Sequence, residues 1–196
     1  MTKTDISSFL PEELTEYLLS LSEKSGVKIE KFRAKQIFSW LTKGVETFDA
    51  MTNISASIKA VLEENAYIAL PKIHTKLVSK IDGTVKYLFE LYDGECVESV
   101  FMRYEHGNTV CISSQVGCRM GCSFCASTLG GLVRNLTPSE MLGQIIAAQK
   151  DMGERVSNIV MMGIGEPLYN YDNTLKFLKL VNHPDGLCIG HRHISL

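Results

Sequence analysis

Apolar positions in the first seventy residues recur at intervals of three and four, the spacing of one buried helix face. Leu14, Tyr17, Leu18 and Leu21 follow Pro11, which suits a first helical turn, and Ser25-Gly26 breaks the run. A second helix is expected over about residues 30–43, with Ala34, Ile37, Phe38 and Leu41 on its apolar face and Gly44 closing it. Lys31, Lys35 and Lys43 fall on the opposite face. A third helix follows Ser55 and carries Ile58, Val61 and Leu62.

Beyond Pro71 the pattern changes to strands. Residues 73–81 and 84–91 read as a hairpin turning at Asp82-Gly83, and Asp93-Gly94 turns the chain again into residues 95–104. From there strands and helices alternate. A short strand at 109–113 feeds a cysteine-rich loop. Thr137-Pro138-Ser139-Glu140 is a capping box, and its helix carries Met141, Ile145, Ala148 and Met152 before Gly153 ends it. Ile159-Val160-Met161-Met162 suits a buried parallel strand, residues 173–181 a helix, and a further strand begins near His193. A β/α succession of this kind builds a parallel sheet or barrel with ligands at the carboxyl strand ends. The expected fold class is therefore α/β. A helical domain (1–70) and an antiparallel β meander acting as a link (71–107) precede the first part of a β/α barrel (108–196).

Composition adds limits. The 196 residues are 45% hydrophobic, enough to bury a sizeable core in one or two domains. Twenty basic and twenty-two acidic side chains give a net charge of −2, which favours no partner in particular. Between residues 24 and 43, however, Lys24, Lys28, Lys31, Arg33, Lys35 and Lys43 face Glu30 alone. Such a face is either ordinary solvated helix surface or a track for nucleic-acid phosphates. No apolar run reaches membrane-spanning length, and the opening Met-Thr-Lys-Thr-Asp is no apolar leader. A reducing, cytoplasmic setting is expected, where clustered cysteines bind metal or catalyse more often than they pair.

The cysteines supply the chemistry. Cys111, Cys118, Cys122 and Cys125 lie within fifteen residues, the last three as C-x3-C-x2-C, with Gly117 and Gly121 beside two of them. A structural zinc site normally takes four ligands, yet no second C-x2-C pair follows, and His106, His183, His191 and His193 stand at no finger spacing. Three close cysteines suit an iron–sulfur cluster that leaves one iron open for a ligand. One strand later, Gly163-Ile-Gly165-Glu166-Pro167 lacks the third glycine of a dinucleotide fingerprint and the Gly-Lys-Ser/Thr of a phosphate loop. It offers close backbone and the Glu166 carboxylate, suited to an ammonium. Alone it reads equally as a plain strand-to-helix turn.

Together these motifs resemble the radical S-adenosylmethionine (SAM) enzymes. Cys111-Ile-Ser-Ser-Gln-Val-Gly-Cys118, Met162-Gly-Ile-Gly-Glu-Pro-Leu168 and Arg192-His-Ile-Ser-Leu196 narrow the likeness to the RlmN methyltransferases. Phe32-Arg-Ala-Lys-Gln-Ile-Phe and Asp49-Ala-Met-Thr-Asn resemble that family's N-terminal RNA-contacting module. The resemblance implies a [4Fe–4S] cluster on Cys118, Cys122 and Cys125, with SAM on the open iron and cleaved reductively. Gly165 and Glu166 would grip the methionine end of SAM, and Phe124 would lie near its adenine. Cys111 would be the second catalytic cysteine, which resolves a covalent enzyme–RNA intermediate through a disulfide, and Glu98 the proton acceptor. Adenine C2 of 23S rRNA and of some tRNAs would be methylated by a monomeric enzyme, with flavodoxin or ferredoxin as electron donor. Cys96 and Cys188 match no functional position and read as ordinary buried thiols. The family's methyl-carrying cysteine and the Ser-Thr pair after its third strand lie beyond Leu196, so the likeness is to the N-terminal portion. The related adenine-C8 methyltransferase of antibiotic resistance shares the cysteine block but tends to carry alanine where Pro167 stands. Outside the enzymes, a non-catalytic metal-bound RNA-binding module is the competing class.

Overall fold

The computed structural model describes residues 3–196; Met1 and Thr2, the first two residues of the Met-Thr-Lys-Thr-Asp opening noted above, lie outside them. Three helices form the N-terminal module: α1 (Pro11–Ser25), α2 (Phe32–Thr42) and α3 (Ala56–Asn65). Gly26, in the left-handed conformation at φ 71°, stops α1 by returning its N–H to the Ser22 carbonyl. Ile6, Leu14, Ile37, Met51 and Leu62 are fully buried between the helices. A short parallel pair, β1 (Thr4–Asp5) with β2 (Ala66–Tyr67), ties the beginning of the module to its end.

The rest is organised by one six-stranded sheet. Its members are β3 (Lys72–Val78), β4 (Val85–Glu90), β5 (Cys96–Met102), β6 (Thr109–Cys111), β9 (Asn158–Val160) and β10 (Ile194–Ser195). The order is β10-β9-β6-β5-β4-β3. From β3 to β6 the neighbours are antiparallel, and β6, β9 and β10 run parallel. The meander and the first barrel strands therefore share a single sheet. Between β6 and β9 the chain adds a small antiparallel pair, β7 (Gln115–Gly117) and β8 (Leu132–Asn135), then the helix α4 (Pro138–Met152). The second crossover helix is α5 (Tyr171–Asn182).

The alternation along β5 decides which face is which. Val97, Ser99 and Phe101 are buried, and Ser99 Oγ donates to Gln144 of α4 at 2.7 Å, so this face packs on the helix. Glu98, Val100 and Met102 point to the other face. α4 is buried along its length from Pro138 to Ala148, because the helical module covers the side the sheet does not. The two layers touch closely: a side chain at Gly143 would lie 2.4 Å from Pro71 Cδ, and one at Gly44 would lie 2.6 Å from Ile146 Cγ2. Lys35 pairs with Asp185 at 3.1 Å, and Lys176 with Glu13 at 2.9 Å, across the same boundary. Part of the basic α2 face is thus spent on docking. The thiols outside the cysteine loop depart from expectation. Cys188 is exposed and Cys96 only half-buried, because Cys188 occupies a loop at φ 53° and its neighbour Ile189 takes the buried position. Among the described residues no helix is long and apolar enough to cross a membrane.

Candidate active site

Three segments converge at the carboxyl end of β6. The first is the connection from Ile112 to Gln115, every residue of it buried. Gln144, wholly buried on α4, pins it with paired hydrogen bonds. Its Oε1 accepts from Ser113 N–H at 2.9 Å, and its Nε2 donates to the Ser113 carbonyl at 3.0 Å. Ser113 Oγ donates to the Glu98 carbonyl at 2.7 Å and accepts from Ile164 N–H at 3.0 Å. One hydroxyl thereby joins β5 to the second segment, the loop from Gly163 to Pro167.

That loop lies against the first segment. The Ile164 carbonyl accepts from Ser114 N–H at 2.9 Å and Gln115 N–H at 3.2 Å, and Gly163 N–H donates to the Ile112 carbonyl at 3.1 Å. Both glycines are required by this approach. A Cβ on Gly163 would fall 2.7 Å from the Ile112 oxygen; one on Gly165, whose φ is 99°, would fall 2.5 Å from Gln115 Cβ. Glu166 caps the short helical turn that follows, its Oε1 accepting from Leu168 N–H at 3.0 Å. Its carboxylate is partly exposed.

The third segment is the cysteine loop, carried between β7 and β8. Gly117 has φ 70°, and a Cβ there would meet the Gly131 oxygen at 2.0 Å, so the two strands close tightly at the base of the loop. Cys118 is buried and accepts a hydrogen bond at Sγ from Met120 N–H at 3.5 Å. Cys122 is exposed and Cys125 half-buried, and all six cysteines are free. Phe124, the residue expected near the SAM adenine, is 92% exposed. Arg119 lies over the Tyr169 ring at 4.9 Å, a further link from this loop to the glycine loop.

Cys111 and Glu98 complete the site from the sheet. Cys111 is directly opposite Val100 on one side and Val160 on the other, which puts it on the face that carries Glu98. Burial pushes the Cys111 thiol above its ordinary pKa, against a smaller opposing effect from the Met162 backbone. Glu98 is half-exposed and pairs with Lys86 at 2.7 Å. Lys86 lies on the same face, opposite Val100 from the β4 side. Sequence reasoning found neither Lys86 nor Gln144. An isolated lysine in a strand and a glutamine in an apolar helix carry no motif; strand register brings in Lys86, and the packing of α4 on the sheet brings in Gln144.

Does this arrangement suit an iron–sulfur cluster? Among the described residues no three His, Cys, Asp or Glu side chains are gathered as tightly as one metal ion requires. At a Zn–S bond of about 2.3 Å, tetrahedral thiolates sit only about 3.8 Å apart. In a cubane each cysteine takes a different iron, so the ligands are spread wider. Three free thiols on one glycine-hinged loop, with a backbone N–H already on one sulfur, fit that donor set.

Comparison with known proteins agrees in both halves. Residues 4–68 match the family of the ribosomal RNA large subunit methyltransferase N-terminal domain, and residues 112–195 match the radical SAM superfamily. A protein of Alkaliphilus oremlandii named probable dual-specificity RNA methyltransferase RlmN is 56% identical over 196 residues, all of this chain and 55% of that protein. The chain carries an RlmN N-terminal domain followed by a radical SAM domain, and so resembles the first half of the RlmN proteins. A Clostridium novyi protein with the same name is 54% identical over 193 residues, 98% of this chain and 54% of its own length. The crystal structure of a radical SAM methyltransferase from Sphaerobacter thermophilus superposes with a TM-score of 0.87 at 36% identity, covering 97% of this chain and 55% of that one. The α/β fold is thus a partial radical SAM fold, and the chain spans about half the length of the curated RlmN relatives it matches.

Proposed function

We propose that this chain is the cluster- and SAM-binding part of an RNA methyltransferase that modifies adenine C2 in 23S rRNA and in some tRNAs. The observation that supports it most is the packing of the cysteine loop and the Gly163–Pro167 loop on one buried segment. Beside them, Cys111 and Glu98 share a sheet face. Cys118, Cys122 and Cys125 would hold the [4Fe–4S] cluster. Bound there, the cluster would supply the electron for reductive cleavage of SAM.

The protein's own groups do the holding and the proton work. Glu166 would bind the SAM ammonium, Gly165 would let backbone come close to it, and Phe124 would lie near its adenine. Glu98 takes a proton from the adenine carbon, its carboxylate kept in place by Lys86. Cys111 acts as the resolving thiol and must lose its proton before it attacks sulfur. The exposed lysines of the N-terminal module bind RNA phosphates. The protein works as a monomer in the cytoplasm, with flavodoxin or ferredoxin as reductant.

Anaerobic reconstitution tests the reading. About four irons and four sulfides per chain are expected, with a brown chromophore that Cys122→Ala removes. A chain that takes up zinc alone, or a Cys122→Ala variant that retains the full cluster, overturns it in favour of a structural metal module.

A further inference from the structure

Two loops have to meet one small ligand in this site, and a single buried side chain lies between them. Gln115 opens β7, the strand that leads into Cys118, and is 1% exposed. Its Oε1 accepts from Glu166 N–H at 2.9 Å. Its Nε2 donates to Asn135 Oδ1 at 2.7 Å, on β8, where the chain leaves the cysteine loop. Its own backbone N–H donates to the Ile164 carbonyl at 3.2 Å. Gly165 is held at φ 99° with no room for a Cβ, because Gln115 fills that space. Glu166 is therefore fixed at both backbone and side chain: its N–H by Gln115, and its carboxylate by Leu168 N–H at 3.0 Å.

We infer that Gln115 is a positioning residue that sets the Glu166 carboxylate against the cysteine loop, and so sets the affinity for SAM. The inference rests on the reading of Glu166 as the partner of the SAM ammonium. The physical argument is one of tolerance. A ligand that spans an iron and a carboxylate on different loops binds well only if their separation is held to about 0.5 Å. Hydrogen bonds anchored on one fully buried side chain give such a fixed spacing, and a side chain that donates at one atom and accepts at another is needed to bridge the two loops. Glutamine supplies both at this reach. An aliphatic residue of equal size fills the volume but lets the loops move apart and leaves Glu166 N–H unpaired.

The test is a double-mutant cycle on the reconstituted protein, read by equilibrium binding of SAM together with iron content and thermal midpoint. Gln115→Met is expected to keep four irons and to weaken SAM roughly tenfold, about 1.4 kcal/mol. Glu166→Ala is expected to weaken SAM as well. Adding Gln115→Met to Glu166→Ala should cost little further, because Gln115 acts through Glu166. Gln115→Glu keeps the acceptor for Glu166 N–H, and Asn135 can turn its amide to donate to it. This variant covers the case in which Gln115→Met fails to load iron: with iron loaded it should keep SAM affinity near the wild-type value, and a tenfold loss in it would overturn the inference. Unchanged SAM affinity in Gln115→Met, or equal losses in both backgrounds, overturns the inference. Unchanged affinity in Glu166→Ala alone overturns instead the reading of Glu166 on which it rests.

Discussion

Cys111 and Glu98 stand on one face of the sheet, Cys111 directly opposite Val100 and Glu98 two residues back along the same strand. Diagonal neighbours of this kind lie roughly 7–8 Å apart, close enough for a thiol and a carboxylate to serve one substrate. The cysteine is half-buried, and that burial holds its proton on. Alkylation of Cys111 by iodoacetamide, followed peptide by peptide, should therefore have its pH midpoint above the value of about 8.5 for a free thiol. A midpoint below 8.5 would mean that a cation near the sulfur outweighs desolvation.

Arg134 ties β8 to α4, and with it the cysteine loop to the helix beneath. It forms a forked pair with Glu140, both contacts 2.8 Å, and a third bond to Asp93 at 2.7 Å. The Glu140 side chain is only 8% exposed. Arg134→Met should lower stability in urea by about 2–4 kcal/mol, since it leaves a buried carboxylate without its cation. Arg134→Met with Glu140→Gln should recover part of that loss. A loss below 0.5 kcal/mol in the single variant would show that solvent reaches Glu140 readily.

How much of this was legible in the sequence depends on how local the determining interaction is. α1, α2 and α4 could be read because periodicity, Pro11, Gly26 and the Thr137–Glu140 capping box act within a few residues. The cysteine triplet could be singled out by its spacing, whereas the Gly163–Pro167 loop read alone as a plain strand-to-helix turn and gained its meaning only from the resemblance. The β7–β8 pair could not: each strand has three or four residues, and Gly117 finds Leu132 across a loop that has no pattern of its own. Nor could the continuity of meander and barrel, which depends on β5 pairing with β6 and β6 with β9. Cys188 misled because free cysteine is usually buried, while here the chain turns at that residue.

Acid should weaken the sheet edge through Asp151. Burial raises the pKa of this carboxyl, but hydrogen bonds from Lys76 and Tyr87 outweigh that and bring it below the ordinary value. A depressed carboxylate stabilises the folded chain above its unfolded pKa near 3.9 and loses that effect as pH falls through the folded value. Asp151→Asn should therefore be less stable than the wild type at pH 6, with the difference shrinking as pH falls below about 4. Thermal midpoints across that range check it, and a constant difference would remove Asp151 from the acid response.

On the α2 face the lysines divide into two kinds. Lys31 is exposed, whereas Lys35 pairs with Asp185. Lys31→Glu should weaken binding to structured RNA and flatten its salt dependence by close to one counterion, with the thermal midpoint unchanged. Lys35→Glu should in addition lower the midpoint slightly, because two carboxylates then face each other at the domain boundary. An unchanged salt slope in Lys31→Glu would leave this face as ordinary solvated surface.

The two glycines of the cysteine loop give the sharpest contrast. Gly117 and Gly121 have almost the same left-handed backbone, φ 70° and 71°, so alanine pays a similar conformational cost of about 1–2 kcal/mol at each. Their surroundings differ. At Gly121 an added Cβ meets nothing within 4 Å, whereas at Gly117 it would lie 2.0 Å from the Gly131 carbonyl oxygen, which accepts from Cys118 N–H at 2.9 Å. A backbone atom cannot swing aside as a side chain can. Gly117→Ala should therefore force β7 from β8, displace Cys118 and lower iron uptake on reconstitution several-fold. Gly121→Ala should take up iron close to the wild-type level at modestly reduced stability. Iron and sulfide analysis of the two variants, prepared side by side, decides the matter. Equal uptake would mean that the loop adapts its base as easily as its tip, and that the tight closure at Gly117 has no part in holding the cysteines.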